Sequence, residues 1–79
     1  MSSEARPDWD RDEEFDGAEA SCGDLLIRLK LFFDPLPSGR RVLLRSTTGA
    51  APVEIPSWCR LTGHALEQAA HPYYLIRRK

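Results

Sequence analysis

Two cysteines carry the most reactive chemistry in this sequence, and Cys22 occupies the more reactive position. It stands at the predicted start of a helix, directly after a turn that follows a short strand. The unpaired N–H groups of a helix N-terminus favour an anion and lower the pKa of a thiol from about 8.5 toward neutrality. A thiolate is the nucleophile of sulfur chemistry, so Cys22 is a candidate nucleophile. The alternative, a small and unreactive apolar residue that begins the helix, stays open.

The second cysteine, Cys59, falls in the middle of a predicted helix and is expected to be a packed core thiol. A disulfide with Cys22 would need their Cα atoms within about 7 Å and an oxidising compartment, and the sequence supports neither. Cys22, Cys59, His64 and His71 do not have the spacing of a zinc site, so we predict no metal and no cofactor. His64 follows the glycine that ends the helix, and we expect it to donate to the last helical carbonyls.

The helix that positions Cys22 is predicted over residues 22–34. Its apolar side chains fall within an arc of about 120°, the pattern of an amphipathic helix on a core; they are Leu25, Leu26, Leu29, Phe32 and Phe33. Ser21 or Cys22 is its N-cap, and Asp24 suits the positive end of the helix dipole. The residues that stop the helix are Pro35, Pro37 and Gly39.

The remaining elements complete a small domain. A weak first strand covers residues 14–17 and ends at Gly17; further strands are predicted over residues 41–47, 66–69 and 73–77, and a second helix over residues 52–62. Gly63 closes that helix in the left-handed conformation, and the last two strands form a hairpin. The order is βαβαββ. We therefore predict an α+β fold, a two-layer α/β sandwich with two helices on one face of a mixed four-stranded sheet.

The length of 79 residues allows one domain with a small core. The longest run without Asp, Glu, Lys or Arg, residues 68–76, is far shorter than the roughly 20 apolar residues of a membrane-spanning helix. The first seven residues contain no apolar signal-peptide core. We therefore expect a cytoplasmic protein with no membrane contact, in which both thiols are reduced.

Charge divides the chain into two parts. Residues 1–20 contain eight acids and two arginines, whereas residues 21–79 contain four acids and nine lysines or arginines. Residues 1–13 are predicted to be a disordered acidic arm, because they bury too little apolar surface to offset the entropy of ordering. Residues 14–79 are the folded domain. Either the arm competes with acidic partners for the basic body, or it is a solubilising tail.

The sequence lacks the motifs that are typical of several functional classes. The sequence contains no dinucleotide-binding GxGxxG, no phosphate-binding P-loop and no HExxH metalloprotease motif. The terminal Arg77-Arg78-Lys79 is too short a basic run for the phosphate contacts of a stable complex, so direct nucleic-acid binding is not expected.

Two segments of the chain resemble a known family. Ile55-Pro56-Ser57-Trp58-Cys59-Arg60-Leu61-Thr62-Gly63-His64 and Tyr74-Leu75-Ile76-Arg77-Arg78 are similar to the second helix and last strand of the TusA/SirA sulfur-carrier family. The resemblance extends from Phe15 to Arg78. It implies a two-layer α/β sandwich in βαβαββ order, and a persulfide carried on one cysteine at the start of the first helix. In that family the sulfur goes to tRNA thiolation, molybdenum-cofactor supply or sulfur-compound oxidation.

The resemblance assigns the sulfur-carrying role to Cys22. The family motif Cys-Pro-x-Pro is Cys22-Gly23-Asp24-Leu25 here, so the nucleophile is kept and both prolines are replaced. Gly23 and Asp24 then supply helix N-terminal amides to the anionic persulfide, although the Asp24 charge opposes a thiolate. The family's acidic positions before the second helix correspond to Thr48 and Glu54.

Two functional hypotheses from different classes follow. The first is a monomeric sulfur carrier or sulfurtransferase that relays a persulfide on Cys22 between a donor protein and an acceptor protein. Its partner-binding residues are expected to be Ile27, Arg28, Leu31 and Arg60. The second is a non-catalytic protein-binding module of the same fold that has lost sulfur transfer and docks through the Ile27 and Leu31 surface. Nucleic-acid contact by the basic body is a third, weaker hypothesis.

Overall fold

The computed structural model describes residues 6–79, except for the side chain of Cys22. Two helices and four strands follow one another as β1 (Glu13–Ala18), α1 (Cys22–Phe33), β2 (Arg41–Ser46), α2 (Ala51–Thr62), β3 (Ala65–Ala70) and β4 (Tyr73–Arg77). The predicted α+β sandwich in βαβαββ order is confirmed.

The four strands form one mixed sheet in the order β1-β2-β4-β3. β1 and β2 are parallel, whereas β4 is antiparallel to both β2 and β3. A parallel pair needs a crossover, which α1 provides; β3 and β4 are joined by the predicted hairpin. Because β1 and β2 run in the same direction, α1 and α2 both begin at the sheet edge where those two strands end.

The core lies between the sheet and the helices. Its buried side chains come from alternate positions of β2 and β4 and from one face of each helix; the largest are Leu25, Leu29, Phe33, Val42, Leu44, Ile55, Trp58, Tyr74 and Ile76. Phe15 and Phe32 pack against this core with ring centroids 5.1 Å apart. The apolar arc predicted for the first helix therefore faces the sheet, with Leu25, Leu29 and Phe33 at its buried centre.

The observed boundaries of the helices and strands differ from the predicted ones by no more than one residue. The difference at the end of β1 has a physical cause. The prediction that Gly17 ends the first strand is wrong: β1 continues to Ala18, which has a left-handed φ of 47°. The Ala18 N–H donates to Oδ1 of Asp16 at 2.9 Å, a local turn that stabilises this conformation. Position 17 needs a glycine for a different reason: a Cβ atom there would lie 2.5 Å from Cδ1 of Leu25 and would clash with it.

We expect Gly17→Ala to lower the free energy of unfolding by about 1–3 kcal/mol, the usual cost of overpacking. Leu25 is 1% exposed and has little room to move away from an added methyl group. Urea denaturation monitored by circular dichroism measures the change. Gly49→Ala is the matched control, because a Cβ at Gly49 would meet no atom within 4 Å. Equal midpoints for the two variants would contradict this assignment of Gly17.

Residues 6–12 form no helix or strand in the structure, but they contact the sheet. The Asp12 N–H donates to the Arg41 carbonyl at 2.9 Å, and the Arg41 N–H donates to Oδ2 of Asp12 at 3.0 Å. The predicted arm, residues 1–13, thus has its last residue in β1, and its first five residues lie outside the described part of the chain. The mobility of the arm stays a prediction from composition.

Candidate functional site at the N-terminus of the first helix

Cys22 is the first residue of α1, as the sequence predicted. Ser21 is the N-cap, with extended backbone angles of φ −63° and ψ 157°, and its carbonyl accepts the Leu25 N–H at 2.7 Å. The Ser21 hydroxyl makes no capping hydrogen bond within the described structure. The first turn of α1 therefore lacks the usual side-chain acceptor for its N–H groups, which suits an anion placed there.

The two residues after Cys22 are exposed, and Gly23 occupies open space. A Cβ at Gly23 would meet no atom within 4 Å, so packing does not require glycine there. Asp24 forms an ion pair with Arg28 one turn along, with 3.1 Å between Oδ2 and Nη2. Because Arg28 offsets its charge, Asp24 opposes a Cys22 thiolate less than the sequence alone implied.

Position 25 could not hold a proline without a loss of stability. Leu25 is almost fully buried and lies against Gly17, and its N–H makes the first hydrogen bond of α1. A proline at this position would lose both the side-chain packing and that hydrogen bond. The Leu25 side chain therefore anchors the first turn of the helix, and hence the backbone of Cys22, to the end of β1.

Two hydroxyl groups at the same edge of the sheet were not singled out as donors from the sequence. Oγ of Ser46 and Oγ1 of Thr48 are buried and make no hydrogen bond with any described residue. Ser46 ends β2 opposite Ala18, and Thr48 lies in the turn into α2, where its carbonyl accepts the Ala51 N–H. Sequence patterns cannot show this, because a serine or threonine at a strand end normally bonds to nearby backbone.

The turn between β3 and β4 also lies at this edge. Tyr73 opens β4 opposite Arg45, near the end of β2, and the Ser46 N–H donates to the Pro72 carbonyl at 2.9 Å. Nδ1 of His71 lies 2.6 Å from the Tyr74 hydroxyl. Burial raises the pKa of Tyr74. The neutral phenol is thus favoured as the partner of the imidazole.

Cys59 is a buried core thiol, which confirms its prediction. It is 3% exposed on the inner face of α2, and burial raises its pKa to about 11. A thiol that stays protonated at neutral pH is a weak nucleophile.

His64 differs from its prediction. It donates to no helical carbonyl among the hydrogen bonds of the described residues; instead its Nδ1 accepts the Lys79 N–H at 3.2 Å. Its ring packs against Phe33 and Trp58, with centroids 4.8 and 5.2 Å away, and burial lowers its pKa. Gly63 ends α2 with a φ of 86° and donates to the Cys59 carbonyl, so the helix end is satisfied without the histidine. This ring lies at the end of α2, away from the edge where α1 begins.

The predicted partner-binding residues lie on the outer surfaces of the helices. Ile27 and Leu31 are 63% and 67% exposed, one turn apart on α1, and Arg28 lies beside them. Arg60 is exposed on α2. Two further apolar residues of α2 are more exposed still and were missed: Val53 at 72% and Leu61 at 86%. The helical spacing of Ile55, Trp58 and Cys59 identified the buried face of α2. Val53 and Leu61 lie outside that face, so the same spacing did not identify them.

No family is assigned by comparison. Neither the protein-family models nor the curated proteins contain a match to this chain. Among the described residues, no three His, Cys, Asp or Glu side chains form a group that could hold a metal ion. No helix in the described part of the chain is long and apolar enough to cross a membrane.

We expect Asp24→Asn to increase the rate at which an alkylating reagent modifies Cys22 at pH 7, and Arg28→Gln to decrease it. Each variant removes one member of an exposed ion pair next to the helix N-terminus. Such charges are worth roughly 0.3–1 kcal/mol, which corresponds to about a twofold to fivefold change in thiolate fraction. The measurement is the alkylation rate of Cys22 followed by mass spectrometry. A slower rate for Asp24→Asn together with a faster rate for Arg28→Gln, or no change in either variant, would contradict an effect of this ion pair on the thiol.

Proposed function

We propose that this chain is a sulfur carrier that holds a persulfide on Cys22 and relays it from a donor protein to an acceptor protein. The observation that carries the proposal is the place of Cys22 as the first residue of α1, in a first turn whose N-cap side chain makes no capping hydrogen bond within the described structure. Amides that lack a side-chain acceptor can stabilise an anionic sulfur there. The resemblance to the TusA/SirA family at the second helix and last strand supports the same assignment.

The proposed reaction needs no oxidant or reductant. The Cys22 thiolate attacks the terminal sulfur of a donor persulfide, a new S–S bond forms at Cys22, and the donor S–S bond breaks. The donor cysteine leaves as a thiolate, and Cys22 keeps the persulfide. In the second step a thiolate on the acceptor protein attacks the terminal sulfur held on Cys22, which returns Cys22 to a thiolate. The carrier is proposed to act as a cytoplasmic monomer without a cofactor.

The test uses the full chain, a cysteine desulfurase and cysteine labelled with radioactive sulfur. The wild-type chain and Cys59→Ser are expected to become labelled, and a reducing thiol such as dithiothreitol should release the label as sulfide. Cys22→Ser should stay unlabelled. Label on Cys22→Ser would overturn the assignment, because it would place the sulfur on another residue.

A second candidate is a protein-binding module that transfers no sulfur. The observation in its favour is the exposure of four large apolar side chains on the helices, Ile27, Leu31, Val53 and Leu61. The loss of both prolines from the family motif agrees with it. The same labelling experiment separates the two candidates, since a wild-type chain that accepts no sulfur from any donor supports the binding module.

A further inference from the structure

The sheet face opposite the helices, called the open face here, contains three buried apolar side chains. Alternation along β2 and β4 places Leu43, Tyr73 and Leu75 on the open face, because the neighbours on either side of them belong to the core beneath the helices. A two-layer fold leaves such a face to solvent. Yet the three side chains are only 2%, 6% and 4% exposed. Part of this chain must therefore cover them.

Within the described part of the chain, the segment of residues 6–12 reaches the open face through Arg6. Arg6 lines a cavity of about 260 Å³ together with Leu43, Arg45 and Tyr73. Pro7 and Trp9 are half-buried, although residues 6–12 form no helix or strand. Because one backbone hydrogen bond and one hydrogen bond to its carboxylate hold Asp12 at the start of β2, the chain must fold back across the sheet for Arg6 to reach this cavity.

One guanidinium group fixes the path of the arm. Nη1 of Arg11 donates to the carbonyls of Pro7 at 2.8 Å and Trp9 at 3.2 Å. Nε and Nη2 of the same residue donate to Oε2 of Glu14 on β1, at 3.1 and 2.8 Å. Arg6 pairs with the other oxygen of Glu14. The hydrogen bond from Arg11, helped by the charges of both arginines, lowers the pKa of Glu14, so the carboxylate is ionised at neutral pH.

The charges around the apolar side chains balance. Among the described residues of the four strands, three acids and three arginines surround them on the open face, namely Glu14, Asp16, Glu67, Arg41, Arg45 and Arg77. Two such faces brought together therefore meet without net repulsion, and their apolar centres can pack as one sheet on another. A single contiguous apolar area of this kind, once uncovered, is typical of a protein–protein contact.

We propose that the open face is an interaction surface for a second copy of this chain, and that residues 6–12 cover its Leu43 and Tyr73 side chains until the contact between Arg11 and Glu14 is broken. The cover is held mainly by polar contacts at an exposed carboxylate and has a composition that does not fold alone, so it is easily displaced. In this account the covered chain is monomeric and the uncovered chain forms a dimer.

The test compares Arg11→Ala with the wild-type chain in two measurements. Hydroxyl-radical footprinting at low protein concentration reports the exposure of Tyr73, and sedimentation velocity over a range of concentrations reports the oligomeric state. Arg11→Ala is expected to be oxidised several-fold faster at Tyr73 and to form a dimer as its concentration rises. Lys30→Ala is the matched control, because it also removes one cation from an exposed ion pair, on α1. It should behave as the wild type does.

Two further variants keep the proposal testable if Arg11→Ala is poorly folded. Glu14→Gln removes the charged acceptor shared by Arg6 and Arg11 and should give the same two changes. Arg11→Ala combined with Leu75→Gln should restore the monomer, which distinguishes a dimer through the open face from unspecific aggregation. A folded Arg11→Ala that protects Tyr73 as the wild type does, or exposes Tyr73 and stays monomeric at every concentration, would overturn the proposal.

Discussion

Iodoacetamide is expected to alkylate Cys22 at least about 100 times faster than Cys59 at pH 7. With the pKa of Cys59 raised to about 11 by burial, only about one molecule in 10,000 carries its thiolate at that pH. A thiol with an ordinary pKa near 8.5 is about 3% ionised, so the thiolate fractions alone differ roughly 300-fold. The 3% exposure of Cys59 restricts reagent access and widens the gap.

Peptide mapping by mass spectrometry after short exposures to the reagent gives both rates on one sample. The control is the same measurement in guanidinium chloride, where unfolding removes the burial of Cys59 and the two cysteines should react at similar rates. Similar rates in the native protein would mean that Cys22 has no reactive advantage, and would favour the protein-binding module.

Trp58→Ala is expected to lower the free energy of unfolding by about 3–5 kcal/mol, the range for removing a buried aromatic side chain. Trp58 is 6% exposed, and its ring meets Phe33 edge to face at 5.4 Å between centroids. The same ring contacts His64, so its loss also removes the packing that shields the imidazole. Stability losses of this size approach the whole stability of a small domain.

Urea denaturation followed by far-ultraviolet circular dichroism measures this loss. Leu61→Ala is the matched control, since it removes a large apolar side chain from the same helix at a position that is 86% exposed. That control should change the stability by no more than about 0.5 kcal/mol. An unchanged midpoint for Trp58→Ala would contradict the place of Trp58 in the core.

The helices and the core could be predicted because local spacing decides them. The apolar arc of α1 and the three- and four-residue spacing of Ile55, Trp58 and Cys59 each identify a face that the structure buries. Gly63 as the left-handed end of α2 followed from its residue type in the same way. In each case the information lies within a few residues of the element.

The features that could not be predicted depend on residues distant in sequence. Gly17 was interpreted as a strand end, whereas its role is to leave space for Leu25 on a different element. Leu43 and Tyr73 were assigned to strands, but nothing in the sequence places Arg6 beside them. That the Ser46 hydroxyl bonds to no described residue likewise depends on which groups surround it after folding.

The central claim, that Cys22 carries sulfur, is tested most directly by the mass of the peptide that contains Cys22. The full chain is incubated with a cysteine desulfurase and cysteine, the unreacted thiols are blocked, and the peptides are analysed without reduction. We predict a gain of one sulfur atom on the Cys22 peptide and none on the Cys59 peptide. An unmodified Cys22 peptide after exposure to a donor that loads a known sulfur carrier in parallel would contradict the claim.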